Sequence, residues 1–140
     1  MLDAALSLAD YPYDEAMGHH GEARSRSCGS TLAVSLELAA DGRIAAVGLR
    51  PHACAIGQAA ISVFSAAAVG RARSDIALAK TAIAHWLAGE GPLPDWPGIE
   101  LIAAAAAYPA RHGAVLLAWD AALAAMPAPP LERPRNGGDD

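Results

Sequence analysis

From Thr31 to Leu38 the side chains alternate, with Leu32, Val34, Leu36 and Leu38 on one side and Ala33, Ser35 and Glu37 on the other. A period of two is the pattern of a half-buried strand. A second such run, Arg43–Arg50, places Ala45, Val47 and Leu49 on one face. Asp41-Gly42 between them is a dipeptide suited to a two-residue type I′ turn. With those two as the loop, Ala40 faces Arg43, Leu38 faces Ala45, Leu36 faces Val47 and Val34 faces Leu49. Each large apolar residue of the first strand then meets an apolar partner on its own face, a match that a one-residue slip would destroy.

Beyond the hairpin the pattern becomes helical. Ile56–Val69 reads as a buried helix closed by Gly70. Its phenylalanine and β-branched residues would suit a strand, but its length and flanking glycines favour helix. Ser74 is the expected N-cap of a helix over Asp75–Ala88, in which Ile76, Ala79, Ile83 and Trp86 share a face. Gly89 ends it, and "GEGPLPDWPG" reads as a loop. A short helix over Ile99–Tyr108 is broken by Pro109, and the last helix runs over Ala110–Met126 with Val115, Leu116, Trp119 and Leu123 on one stripe. Ahead of the hairpin, Leu2–Leu8 predicts a short helix and "YPYDEAMGHHGEARSRS" a loop. The tail "PAPPLERPRNGGDD" has no face to bury and is expected to be disordered, so residues 1–126 form one domain and 127–140 a tail. Strands followed by helices, without alternation, predict an α+β fold, a small antiparallel β-sheet packed against several α-helices.

Composition narrows the function. The 140-residue chain is 54% hydrophobic, but alanine carries much of that, so the core must lean on Leu, Ile, Val, Phe64 and the three Trp. The net charge of −5 argues against a nucleic-acid partner, which calls for a basic surface. The acidic start "MLDAALSLADYPYDE" lacks the basic region of a signal peptide. The apolar stretches Ala53–Val69 and Leu101–Leu117 are too short or too interrupted to span a bilayer. A cytoplasmic chain is expected, without membrane contact, and there a structural disulfide is not. "GRIAAVG" lacks the glycine pattern of a phosphate loop, and no Ser-His-Asp grouping is visible.

The candidate chemistry lies in the two cysteines, Cys28 and Cys54. Extending the hairpin register outward pairs Gly29 with Cys54 and brings Cys28 beside it at the open end of the sheet. Cys54 also precedes a helix start, where the helix dipole favours an anion, and Arg24 and Arg26 flank Cys28 in sequence. Both settings favour thiolate, the form that binds metal or attacks sulfur. Each cysteine could equally be a small buried hydrophobe; a register that independently puts the two side by side argues for a site.

"SCGS" before a strand, "ACAIGQAAISVFS" opening a helix, and "YPAR" before a final helix resemble the iron–sulfur scaffold family of IscU, SufU and the NifU N-terminal domain, over about Leu8–Ala125. The Pro-Ala-Arg motif is most similar to the SufU branch. The resemblance implies a [2Fe–2S] cluster or zinc held by three cysteines and an aspartate, with a cysteine desulfurase and iron–sulfur acceptor proteins as partners, and no catalytic turnover. Cys28 and Cys54 match the first two cysteines. Ser30 stands in place of the aspartate, and Ala114 in place of the third cysteine. A tetrahedral site wants four ligands, and neither Ser30 nor Ala114 is a good one. A second subunit in a homodimer, glutathione or a histidine are the candidate replacements. His112 is two residues from Ala114, a rotation of about 200° on a formed helix, which Gly113 can relax; it is retained as a candidate metal ligand. His52, His19 and His20 are weaker candidates. The implied function is a divergent scaffold that binds a nascent cluster or metal through Cys28 and Cys54 and transfers it. The alternatives are a SufE-like acceptor of persulfide sulfur from a cysteine desulfurase, or a metal-free regulatory paralogue.

Overall fold

The computed structural model describes residues 11–25 and 29–127. The expected short helix at Leu2–Leu8, the tail beyond Pro127 and Cys28 lie outside the described residues. Three strands form one antiparallel sheet in the order β1 (His19–Arg24), β2 (Thr31–Leu38), β3 (Ile44–His52). Helices α1 (Ala55–Ala68), α2 (Arg73–Leu87) and α3 (His112–Ala125) follow, with a 3-10 segment at Ile99–Ala107 and a 3-10 turn at Pro109–Arg111 before α3. This is the expected α+β arrangement of a small antiparallel sheet and several helices. Among the described residues, no helix is long and apolar enough to cross a membrane.

The register of the central hairpin follows from its apolar alternation. Val34 pairs with Leu49, Leu36 with Val47, and the ladder runs out to Thr31 opposite His52. Near the turn it departs from expectation, because Leu38 pairs with Ile44 across a bulge rather than with Ala45. The turn is not type I′. Among the described residues only glycines take positive φ, so Asp41 does not, whereas Gly42 sits at φ 86°. Gly42 N–H donates to the Ala39 carbonyl at 2.9 Å, and Ala39 N–H to the Arg43 carbonyl at 2.8 Å. These bonds describe a turn closed by one left-handed glycine, which spares Asp41 the strained conformation and adds a residue to the loop. The Asp41 carboxylate is thereby free to accept the Arg43 N–H at 3.0 Å.

Strand β1 replaces the loop expected over these residues. Its inward positions, His19, Gly21 and Ala23, carry no large apolar side chain, so the segment has no hydrophobic alternation to read. Helix α3 packs so closely here that a Cβ at Gly21 would lie 2.6 Å from the Ala125 nitrogen and 3.0 Å from the Ala124 carbonyl carbon. We expect Gly21→Ala to destabilise the protein by about 1–3 kcal/mol, the usual cost of overpacking. Thermal unfolding measures this, and an unchanged Tm would mean that α3 is not seated on β1 in solution.

Other boundaries move for local reasons. Helix α2 begins at Arg73 with Ala72 as N-cap, not Ser74, because the Asp75 carboxylate reaches back to accept the Ala72 N–H at 2.9 Å. The expected helix at Ile99–Tyr108 is instead 3-10 and kinked at Ile102. Helix α3 starts at His112 rather than Ala110, the Pro109–Arg111 turn having taken the residues before it. Trp96, assigned by sequence to a Pro/Gly loop, lies in the core. Phe64 and Trp96 stack with centroids 5.6 Å apart, and Trp119 stands edge-on to both at 5.3 Å. The Trp96 indole N–H donates to the Val63 carbonyl at 3.0 Å, so the loop is pinned on α1 without an unpaired donor. In an alanine-rich chain these three rings supply much of the large apolar area under the sheet.

The candidate metal and sulfur site

Three elements converge at the end of the sheet where β2 begins, β3 ends and α3 starts. Cys54 is the N-cap of α1, extended at φ −66° and ψ 171°, and its side chain makes no capping hydrogen bond. Its thiol is half-buried, free of disulfide, and the only cysteine among the described residues. The residue directs the chain from β3 into α1, and its backbone N–H donates to the Ser30 hydroxyl at 3.4 Å. Ser30 itself is 4% exposed.

Ala114, in the first turn of α3, is fully buried on the same spot. A Cβ placed on Gly57 would lie 3.4 Å from the Ala114 Cβ and 3.7 Å from the Cys54 Sγ. The Ala53 methyl is nearer still, at 3.0 Å, so the surface of Gly57 is closely packed, with the Cys54 sulfur and the Ala114 methyl both against it. Gly57 was not singled out in the sequence; its signal was only its place one turn after Cys54. Ser25 was also missed. It is 3% exposed, and a Cβ on Gly113 would stand 2.8 Å from its hydroxyl, so the start of α3 rests on the end of β1.

The loop from β1 to β2 has a closed frame. Ser25 N–H donates to the Ser30 carbonyl at 2.8 Å, and Gly29, at φ 72°, donates its N–H to the Ser25 carbonyl at 2.9 Å. Cys28 belongs to the segment inside this frame, and with it the expected approach of Cys28 to Cys54 lies outside the described residues. Its neighbours Ser25, Gly29 and Ser30 are held at the Cys54 end of the sheet.

The histidines are distributed differently. His112 is half-buried and is already the first residue of α3, so the helical rotation separates it from the Ala114 face by about 200°. Among the described residues no three His, Cys, Asp or Glu side chains gather as a metal-binding group. His52 and His20 project from the face of the sheet opposite the helices, and His19 pairs with Leu36 in the sheet. We expect His112→Ala to leave bound zinc or iron per chain unchanged at fixed pH. A fall in stoichiometry, by elemental analysis, would return His112 to the ligand set.

Solved structures resemble this chain over most of its length. The N-terminal part of a nitrogen-fixing NifU-like protein from Brucella abortus superposes with a TM-score of 0.71 at 28% identity, covering 86% of this chain and 87% of that one. An iron–sulfur cluster assembly scaffold described for the SUF system of Fervidobacterium islandicum reaches a TM-score of 0.78 at 22% identity, covering 90% and 93%. A third structure, of a hypothetical protein, has a TM-score of 0.71 at 19% identity. No protein-family model matches the sequence, and no curated protein matches it.

Proposed function

We propose, from the premise that this chain is built on the NifU- and SufU-like scaffold fold, that it carries a nascent iron–sulfur cluster or a metal ion and hands it on. The cluster is cargo rather than a resident cofactor, and the chain is a carrier with no turnover chemistry of its own. Cys28 and Cys54 are the proposed thiolate ligands. Sulfur would come from a cysteine desulfurase and the cargo would go to iron–sulfur acceptor proteins, in the cytoplasm. The observation that carries this reading is the convergence of the Cys54 sulfur and the Ala114 methyl over Gly57, beside buried Ser30. Three of the positions to which the family resemblance assigns ligands, 30, 54 and 114, lie there, and two of those three hold residues that cannot ligate well. Binding should accordingly be weaker than at a four-ligand site. Anaerobic reconstitution with iron and sulfide, followed by absorption spectroscopy and metal analysis, tests it. A colourless, metal-free product would end the proposal.

The half-buried, unpaired thiol of Cys54 supports a second reading, acceptance of persulfide sulfur. The Cys54 thiolate would attack the outer sulfur of a desulfurase persulfide, forming Cys54–S–SH and releasing the desulfurase thiolate. A persulfide assay on metal-free protein separates the two readings. A chain that neither binds metal nor takes up sulfur would point to the regulatory alternative.

A further inference from the structure

The sheet face turned away from the helices carries a groove that the cysteine site does not use. In register, Glu22, Ala33 and Arg50 form one row across the three strands, and Arg24, Thr31 and His52 form the next. Leu32, between these two positions on β2, and Val34, just beyond them, point to the core on the other side. Ala33 and Thr31 are small, so they make a floor between longer side chains on both flanking strands. The hollow is about 450 Å³, within the range of small-molecule sites.

Its charges are spread and largely unspent. Arg24 and Glu22 form no ion pair among the described residues. Arg50 has its guanidinium 4.0 Å over the Tyr13 ring, held by the segment that precedes β1. Its contact with Glu15 is 3.7 Å long, to a carboxylate side chain that is 84% exposed, a kind of pair that contributes little and exchanges readily. With strands about 4.8 Å apart and same-face residues about 6.7 Å apart along a strand, Glu22 and Arg24 are neighbours on one face of β1 and Arg50 stands two strands away on the same face. Two guanidinium groups and one carboxylate on one floor are matched in charge by a ligand with two carboxylates and one ammonium.

The geometry points to a binding site for a small zwitterionic peptide carrying one more carboxylate than ammonium groups. Arg24 and Arg50 take the carboxylates, in the bidentate manner that guanidinium favours. Glu22 takes the ammonium, and Thr31 and His52 supply hydrogen bonds to the peptide amides. In a chain of net charge −5, such a ligand would otherwise be repelled.

The probe is S-methylglutathione, which has this charge pattern and a capped sulfur that cannot act as a thiolate. It is titrated into the full, metal-free chain and followed by amide NMR. Saturable shifts are expected at Thr31, Ala33 and Arg50. Arg24→Gln and Arg50→Gln should each weaken binding at least about tenfold, roughly 1.4 kcal/mol. Glu22→Gln should weaken S-methylglutathione but not glutarate, which has the carboxylates without the ammonium. The proposal falls if no saturable shift appears, if either Arg variant or Glu22→Gln binds the peptide as wild type does, or if inorganic phosphate binds as tightly as the peptide. Because neither metal nor a free thiol takes part, failure here leaves the two-cysteine reading untouched.

Discussion

Replacing Cys54 by serine is expected to remove iron, zinc and cluster binding while leaving the fold at least as stable as before. Cys54 occupies the N-cap of α1, but its sulfur makes no capping bond. A serine hydroxyl is smaller than the thiol and is among the preferred N-cap acceptors, able to satisfy an orphan N–H and add up to about 1 kcal/mol. The extended φ and ψ of Cys54 already suit it. A neutral hydroxyl, however, is a poor ligand for zinc or iron, and half of the proposed thiolate set is lost with it. Metal analysis of the reconstituted variant should show affinity reduced by at least about two orders of magnitude, near 2.7 kcal/mol. Thermal unfolding should show an equal or higher Tm for the apo form. Cys28→Ser should be as damaging to metal binding. Retention of wild-type stoichiometry in either variant would remove that cysteine from the ligand set.

The converse experiment restores what the chain lacks. Ser30→Asp with Ala114→Cys is expected to tighten metal binding at least about tenfold and to lengthen cluster lifetime. The Ala114 Cβ and the Cys54 sulfur both lie within contact distance of the position that a Cβ on Gly57 would take. A thiol at 114 is therefore placed on the Cys54 side of α3. The aspartate is a harder substitution. Ser30 is 4% exposed and its hydroxyl accepts the Cys54 N–H, so a carboxylate there replaces a buried neutral group. Burying a charge in place of a neutral group costs stability. The apo double variant should thus melt below wild type, and metal should raise its Tm more than it raises that of wild type, since ligand binding to the folded state alone adds stability. Equal affinity of the double variant and wild type would show that the site is not organised as the family resemblance implies.

The helices and the central hairpin were legible because their signals are local. Alternation over Thr31–Leu38 sets which face is buried, and the pairing of Val34 with Leu49 and Leu36 with Val47 follows once both strands must bury that face. Helix α1 was legible from its length and glycine flanks, and it ends one residue earlier than expected, at Ala68. The motifs around Cys28, Cys54 and Arg111 likewise carried the family resemblance without any geometry.

Other features had no local signal. Strand β1 exists because α3 lies on Gly21 and β2 offers an open edge, and His19, Gly21 and Ala23 announce neither. The burial of Trp96 was expected from composition, but how a residue of a Pro/Gly loop reaches the core was not, since the stack on Phe64 and the bond to the Val63 carbonyl join segments far apart in the chain. At the candidate site, the sequence by itself determined which residue types are present: thiols at 28 and 54, and no ligand at 114. The tertiary structure decided that Cys54, Ser30 and Ala114 share one place, because β2, the β3–α1 junction and α3 pack together there through contacts between residues far apart in the chain. It also decided that Ser30 serves the backbone of Cys54. That hydrogen bond depends on a cross-strand register and the position of a helix start, quantities that no single stretch of side chains encodes.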